Sequence, residues 1–286
     1  MQSIWKRINK NLFTYINSID DLAFLNEELL KKPYVGVDTE FRRTTKNNMR
    51  LALLQVNDGD EIYLVDALLL ENPGDKVSFL FSDHVTKIFH SCKEDLEAIF
   101  SWTNKKMTKI FDTQIANSLL CNEYSISYQG LVEKTLGISL EKKETRSNWM
   151  RRPLSDAQLK YAALDVEYLI YLFDAQNNEL IASKKLGWHD EDLKKLIDMT
   201  FTPELRTEDI SRTLPKSDEV KILSKFDTIV QQIAEKEKIN PTLFFSKRAQ
   251  KDFLRKALLY GIDQASAELT DWRSMLIKDE LVLLLK

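Results

Sequence analysis

Glycine is scarce in this chain, at seven of 286 residues. Phosphate-cradling loops need several glycines at fixed spacing, and neither a Walker-type nor a Rossmann fingerprint occurs. Cysteine is scarcer still. Cys92 and Cys121 have no pairing pattern and no metal-ligand spacing, which fits ordinary buried thiols in a reducing compartment. No stretch approaches the roughly 20 apolar residues that a membrane helix needs. The closing Leu281-Val282-Leu283-Leu284-Leu285 is too short for that and reads as part of a final amphipathic helix. The opening Met1-Gln2-Ser3-Ile4-Trp5-Lys6 has no apolar run after its charge, so it does not read as a signal peptide, and the cytoplasm is the expected compartment. A dominant charge is lacking too. The formal net charge of −3 announces no polyanion partner, so any nucleic-acid surface has to be local. What remains is the composition of a soluble globular protein, 43% hydrophobic and 30% charged. The length suits one large or two ordinary domains.

The stretch Val35-Gly36-Val37-Asp38-Thr39-Glu40-Phe41 reads as a buried strand with two acids set into it. Side chains alternate along a strand, so Val35, Val37, Thr39 and Phe41 share one face and Asp38 and Glu40 the other. Two residues of strand span about 6.6 Å, which leaves the two carboxylates close together in an apolar setting. Burial and mutual repulsion both disfavour their charged forms. A divalent metal is the economical compensation, because hard cations take carboxylate oxygens. On this stretch alone, a solvated strand end with idle acids is the alternative.

Around it the chain alternates in a readable way. Leu22, Phe24, Leu25 and Leu29 form the apolar stripe of a helix that Pro33 ends. Arg42 to Met49 is polar and reads as loop or turn. Leu51 to Val56 and Glu61 to Asp66 read as strands joined by the hairpin signal Asn57-Asp58-Gly59-Asp60. A helical segment near Val77–Phe81 precedes a short strand, Lys87 to His90, and a helix from Lys93. Lys109 to Asp112 is another strand, with Thr113 to Leu120 helical after it. An antiparallel meander thus feeds α/β units, and the expected result is a mixed sheet. Leu131 to Leu136 is a helix stopped by Gly137. A charged loop from Glu141 to Arg152 carries Trp149. Ser155 and Gln158 then form a capping box for one long helix whose apolar positions run through Leu159, Ala162, Ala163, Val166, Leu169, Ile170 and Phe173.

Two further acids have similar addresses. Asp95 lies in the first turn of the helix after His90. Tyr161 and Asp165 are four apart on the long helix and share a partly apolar face. A lone acid on a helix is usually a solvated charge; four acids so placed form a much rarer set. With these motifs in hand, the chain resembles the ribonuclease D family, a branch of the DEDD 3′–5′ exonucleases with a catalytic Tyr. Asp38-Thr39-Glu40-Phe41 looks like the first motif, Phe89-His90-Ser91-Cys92-Lys93-Glu94-Asp95-Leu96-Glu97 the second, and Tyr161-Ala162-Ala163-Leu164-Asp165 the third. Leu54-Gln55, Phe111-Asp112-Thr113 and Arg152-Pro153-Leu154 match as connecting segments, and the likeness runs from residue 20 to about 180. The resemblance implies a ribonuclease H-like α/β fold and two divalent metal ions, Mg²⁺ or Mn²⁺, held by Asp38, Glu40, Asp95 and Asp165, with Tyr161 holding the attacking water. His90 is expected to be a core or strand-end residue, and Asp112 a buried cap of the helix that Thr113 begins.

Pro203, Pro215 and scattered charges mark residues 201–217 as a linker. The expected domains are therefore residues 1–200 and 218–286. The second is helical by pattern. Residues 215–260 hold ten Lys and Arg against six Asp and Glu, a local charge of +4. Lys247, Lys251 and Arg255 recur every fourth residue as one basic stripe. Such a stripe is most often a solvated face, and beside a nuclease it is a candidate phosphate-tracking surface. Ile233-Ala234, Asn240-Pro241-Thr242-Leu243-Phe244 and Trp272-Arg273 make this region resemble the all-α HRDC domain. The expected function is a 3′–5′ exoribonuclease releasing 5′-mononucleotides from RNA with a free 3′ end, such as tRNA precursors or small structured RNAs, with no membrane and no obligate protein partner. The rivals are an exonuclease for short oligoribonucleotides or DNA, and a catalytically silent RNA-binding scaffold.

Overall fold

The computed structural model describes residues 12–45, 48–121, 123, 125–140, 147–202 and 213–285. The chain divides into two compact units, Met1–Thr113 with Ser127–Ala175, and Gln114–Ile126 with Gln176–Lys286. Much of the linker expected over 201–217 falls on residues 203–212, outside the described residues.

The first unit is built on a six-stranded mixed sheet. Its strands are β1 (Thr14–Ile16), β2 (Tyr34–Thr45), β3 (Asn48–Asn57), β4 (Ile62–Val65), β5 (Thr86–Phe89) and β6 (Ile110–Asp112). They lie in the order β1-β4-β3-β2-β5-β6. β2, β3 and β4 form the antiparallel meander, while β5 and β6 join it in parallel. That is the mixed architecture expected, with two differences. β1 is a three-residue edge strand, parallel to β4, too short to leave a period. The polar stretch after Phe41 is hairpin rather than loop. Arg42 and Arg43 pair with Arg50 and Met49, past a register shift between Glu40 and Phe41. Cross-strand pairing carries β2 and β3 beyond their apolar cores, with polar side chains facing water.

Helix α1 (Ile19–Leu29) starts at Ser18, whose side chain accepts the Asp21 N–H. It buries Leu22, Leu25, Asn26 and Leu29, one helical face that leaves Phe24 off the stripe and 70% exposed. Asn26 turns inward because its amide accepts from the Phe79 N–H and bonds Ser78. The segment near Val77 is a 3-10 turn, Gly74–Phe81. Helices α2 (Lys93–Thr103), α3 (Thr113–Leu120) and α4 (Tyr128–Leu136) follow, the last ended by Gly137 in the left-handed region. Helix α5 (Asp156–Glu167) opens with the Ser155–Gln158 capping box and lies against β2, β3 and β4. Its small buried residues, Ala162 and Ala163, allow close approach to the sheet. The long helix expected here breaks at Tyr168, and α6 (Leu169–Ala182) starts afresh. The segment before α5 is anchored by Arg152, whose guanidinium grips the fully buried Asp66 (Nε–Oδ2 2.5 Å, Nη2–Oδ1 2.8 Å) and also reaches the Ala52 carbonyl.

The second unit is helical: it takes nearly all of α3 and the end of α6, followed by α7 (Leu186–Phe201), α8 (Lys216–Glu237), α9 (Pro241–Phe245), α10 (Lys247–Tyr260), α11 (Ile262–Ser266) and α12 (Asp271–Leu284). Phe226, Phe244, Phe245, Phe253 and Trp272 form its aromatic core. Helix α7, expected with the exonuclease domain, packs here instead. Trp188 stacks on Trp272 at 4.7 Å, and Asp192 takes the Arg273 guanidinium. Lys185 ends two helices at once, donating to the carbonyls of Leu119 (2.8 Å) and Glu237 (2.7 Å). Among the described residues, no helix is long and apolar enough to cross a membrane.

Candidate metal centre and active site

Three of the four predicted acids meet in the first unit. Asp38 and Glu40 project from β2 and Asp165 from α5, and each offers a carboxylate oxygen within 4.8 Å of the others. Strand alternation puts Asp38 and Glu40 on one face. The spacing of four puts Tyr161 beside Asp165 on the helix that covers that face. With His90, Tyr128, Gln129 and Leu169, these residues line a cavity of about 200 Å³.

The electrostatics are those of like charges held together out of water. Burial first, then the Asp165 charge, holds the Asp38 carboxyl well above the ordinary range. Burial and the charges of Asp38, Asp165 and Asp95 push Glu40 up to about 9. Burial pushes Asp165 up to about 7, against a lowering by the hydrogen bond from Tyr161. Among the described residues, no cation offsets the charge of any of the three. An oxygen-only cluster of this density, uncompensated by Lys, Arg or His among the described residues, fits a hard divalent cation. The Tyr161 hydroxyl is pushed above its usual value by burial and by Asp165 and Glu40, so it stays protonated. The Trp149 ring lies 6.2 Å from that of Tyr161.

Asp95 stands apart from this trio. It lies in the first turn of α2, nearly buried, and accepts a 2.5 Å hydrogen bond from the Thr39 hydroxyl. Burial and then the Asp38 charge raise its carboxyl well above the usual range. Thr39, on the opposite face of β2 from its two acidic neighbours, is therefore what ties the second motif to the first. Asp112 is a buried cap, and it reaches beyond the helix that follows it. Its two oxygens accept the N–H groups of Ser91 (3.1 Å) and Cys92 (2.8 Å), at the start of α2. That fixes the sharp turn in which Ser91 has φ +67°. His90 does sit at a strand end, but it faces the cavity, with Nδ1 2.9 Å from the Thr113 hydroxyl.

Sequence reasoning missed Tyr128 and Gln129 as cavity residues. Nothing local marks them, since Tyr128 merely follows the helix cap Ser127. In the second unit, the basic stripe of α10 is not a continuous free face. Arg255 is largely buried on Glu219 (Nε–Oε1 2.7 Å), and Lys247 pairs with Asp227. Lys251 is exposed.

The family model described as 3′–5′ exonuclease matches residues 13–181. A ribonuclease D from Shewanella sp. (strain ANA-3) is 36% identical over 200 residues, which is 70% of this chain and 52% of that protein. The chain spans about half the length of the curated relatives it matches. Among solved structures, Escherichia coli RNase D, an exoribonuclease involved in structured RNA processing, aligns with 96% of this chain and 74% of its own, at TM-score 0.65 and 24% identity. Brucella melitensis NrnC aligns with 66% of this chain at TM-scores of 0.56 with bound Mg²⁺ (23% identity, 90% of that chain) and 0.57 bound to pGG (25% identity, 92% of that chain). The mixed sheet is thus the ribonuclease H-like α/β fold expected, and the RNase D likeness extends over the helical second unit.

Proposed function

Because this chain belongs to the 3′–5′ exonuclease family, whose model spans residues 13–181, we propose that it is a metal-dependent exoribonuclease. It removes 5′-mononucleotides from RNA 3′ ends. The observation that carries this reading is the buried carboxylate trio Asp38, Glu40 and Asp165. These residues, with Asp95 as the fourth ligand, would hold two divalent ions, Mg²⁺ or Mn²⁺. Such ions, when bound, stabilise the attacking and leaving oxygens of an in-line displacement at phosphorus and activate water.

The protein's own groups then have separate tasks. The three acids hold charge in a cavity that they share with Tyr161. The protonated Tyr161 hydroxyl orients the attacking water as donor and acceptor and is not the base, since its pKa lies above the ordinary value. Arg152 and Asp66 anchor the segment that carries Trp149 toward Tyr161. The substrate is RNA with a free 3′ end, in keeping with the names of the relatives; tRNA precursors and small structured RNAs are the proposed targets, and the cytoplasm the proposed site of action. The helical unit serves as an HRDC-like RNA-holding domain, with Lys251 exposed on the stripe.

The test uses 5′-labelled single-stranded RNA, a dinucleotide, and matching DNA, each with Mg²⁺, Mn²⁺ or EDTA. A metal-dependent ladder shortening from the 3′ end, faster on RNA and absent with Asp38→Ala, is expected. Cleavage confined to the dinucleotide would redirect the assignment to oligoribonucleotide turnover. RNA binding without any ladder would leave the scaffold reading in its place.

A further inference from the structure

The apolar periodicity of the third motif runs on through Leu169, Ile170 and Phe173, yet the helix breaks after Glu167. Leu164 and Tyr168 are four apart, so a continuous helix would bond the Tyr168 N–H to the Leu164 carbonyl. The Tyr128 hydroxyl stands between them. It donates to the Leu164 carbonyl at 3.1 Å and accepts the Tyr168 N–H at 3.0 Å. One hydroxyl replaces one backbone bond and leaves neither group unmade. Asn57, at the end of β3, serves two of the carbonyls that follow, donating through Nδ2 to Val166 at 2.9 Å and Glu167 at 3.0 Å. Its own Oδ1 accepts from the Gly59 N–H at 2.9 Å, which orients the amide. A side chain inserted into the helical ladder is a known cause of a sharp kink.

The break is also pressed onto the strand of the first motif. A Cβ on Gly36 would lie 3.0 Å from Leu169 Cβ and 3.4 Å from the Val166 carbonyl. A side chain there would make Leu169 give by a few tenths of an ångström, and Gly36 is two residues before Asp38. Tyr128 is itself held. It opens α4 behind the Ser127 cap, and its ring meets His90 edge-on at 5.9 Å. His90 is tethered in turn to Thr113.

We propose that Tyr128 is a positioning residue for the acid cluster. By holding the helix open between Leu164 and Tyr168, it sets where Asp165 lies against Asp38 and Glu40, and with that the affinity for a divalent cation. The inference rests on the metal-site reading above. Without the hydroxyl, Leu164 and Tyr168 re-form their own bond, the helix straightens, and Asp165 is carried off the cluster.

The test titrates Mn²⁺ into the full chain, reading free Mn²⁺ by electron paramagnetic resonance, for wild type, Tyr128→Phe and Gly36→Ala. Melting in EDTA and the Mn²⁺ dependence of RNA cleavage are measured alongside. Loss of a residue that supports a metal ligand typically weakens affinity about 10–100-fold. A weakening of that size in the Mn²⁺ Kd is expected for Tyr128→Phe, with cleavage recovered at high Mn²⁺. Gly36→Ala, with Tyr128 intact, is expected to move the Kd in the same direction, and it decides alone should Tyr128→Phe not fold. A lowered melting temperature with wild-type Mn²⁺ affinity in the variants would make Tyr128 merely structural and overturn the proposal. Failure of the wild type to bind Mn²⁺ would instead overturn the metal site on which the proposal rests.

Discussion

Replacing Asp165 by Asn is expected to stabilise the metal-free protein at alkaline pH while abolishing cleavage. Burial raises the Asp165 carboxyl from 3.8 to about 7. A carboxyl so raised holds its proton more tightly in the folded than in the unfolded chain. Stability therefore falls as pH climbs through the window from about 4 to about 7, and the loss persists above it. At about 1.36 kcal/mol per unit, that shift amounts to at most on the order of 4 kcal/mol at pH 8. Asp38, Glu40 and Asp165 titrate as a group, so one substitution releases only part of it, about 2 kcal/mol. One kcal/mol moves the melting temperature of a domain of 150–250 residues by roughly 2–4 °C. The expected gain for Asp165→Asn in EDTA at pH 8 is thus about 4–8 °C. At pH 4 both side chains are neutral in the folded state and the gain vanishes. Adding Mn²⁺ reverses the order at pH 8, because wild type gains a bound cation that the variant holds poorly. Scanning fluorimetry at pH 4, 6 and 8, with EDTA or Mn²⁺, reads all of this. If Asp165→Asn melted lower than wild type in EDTA at pH 8, the acids would not be repelling one another, and the physical case for a cation among them would fail.

Three further outcomes follow from the same geometry. Tyr161→Phe is expected to cut kcat by about 100-fold or more with the Mn²⁺ Kd unchanged; undiminished turnover would reduce Tyr161 to a packed aromatic. Arg152→Ala leaves the fully buried Asp66 without its guanidinium, a one-sided loss costing about 3–5 kcal/mol in denaturant titration; removing the exposed Arg50 from Glu71 costs under about 1 kcal/mol. Lys251→Ala is expected to weaken RNA binding and reduce the salt slope by about one, whereas Arg255→Ala, by removing the ion pair with the buried Glu219, lowers stability first. Equal effects of the two on binding alone would restore the stripe as one surface.

The parts of the site legible in the sequence are those governed by local periods. Strand alternation places Asp38 beside Glu40, and the spacing of four places Tyr161 beside Asp165, so both pairs could be read without a neighbour in view. What could not be read depends on groups far along the chain. Thr39 reaches Asp95 across 56 residues, and Asp112 caps a turn 20 residues back. The basic spacing of α10 is real, but Glu219, 36 residues away, takes Arg255 out of solvent. The helix break makes the case most sharply. Apolar periodicity reports which residues face the core, and that face continues across Tyr168; it carries no information about which donor serves each carbonyl. Tyr128 and Asn57 come from 40 and 109 residues away to take over the bonds. The third motif therefore supplies the acid, and two residues outside every motif decide where the helix that bears it ends.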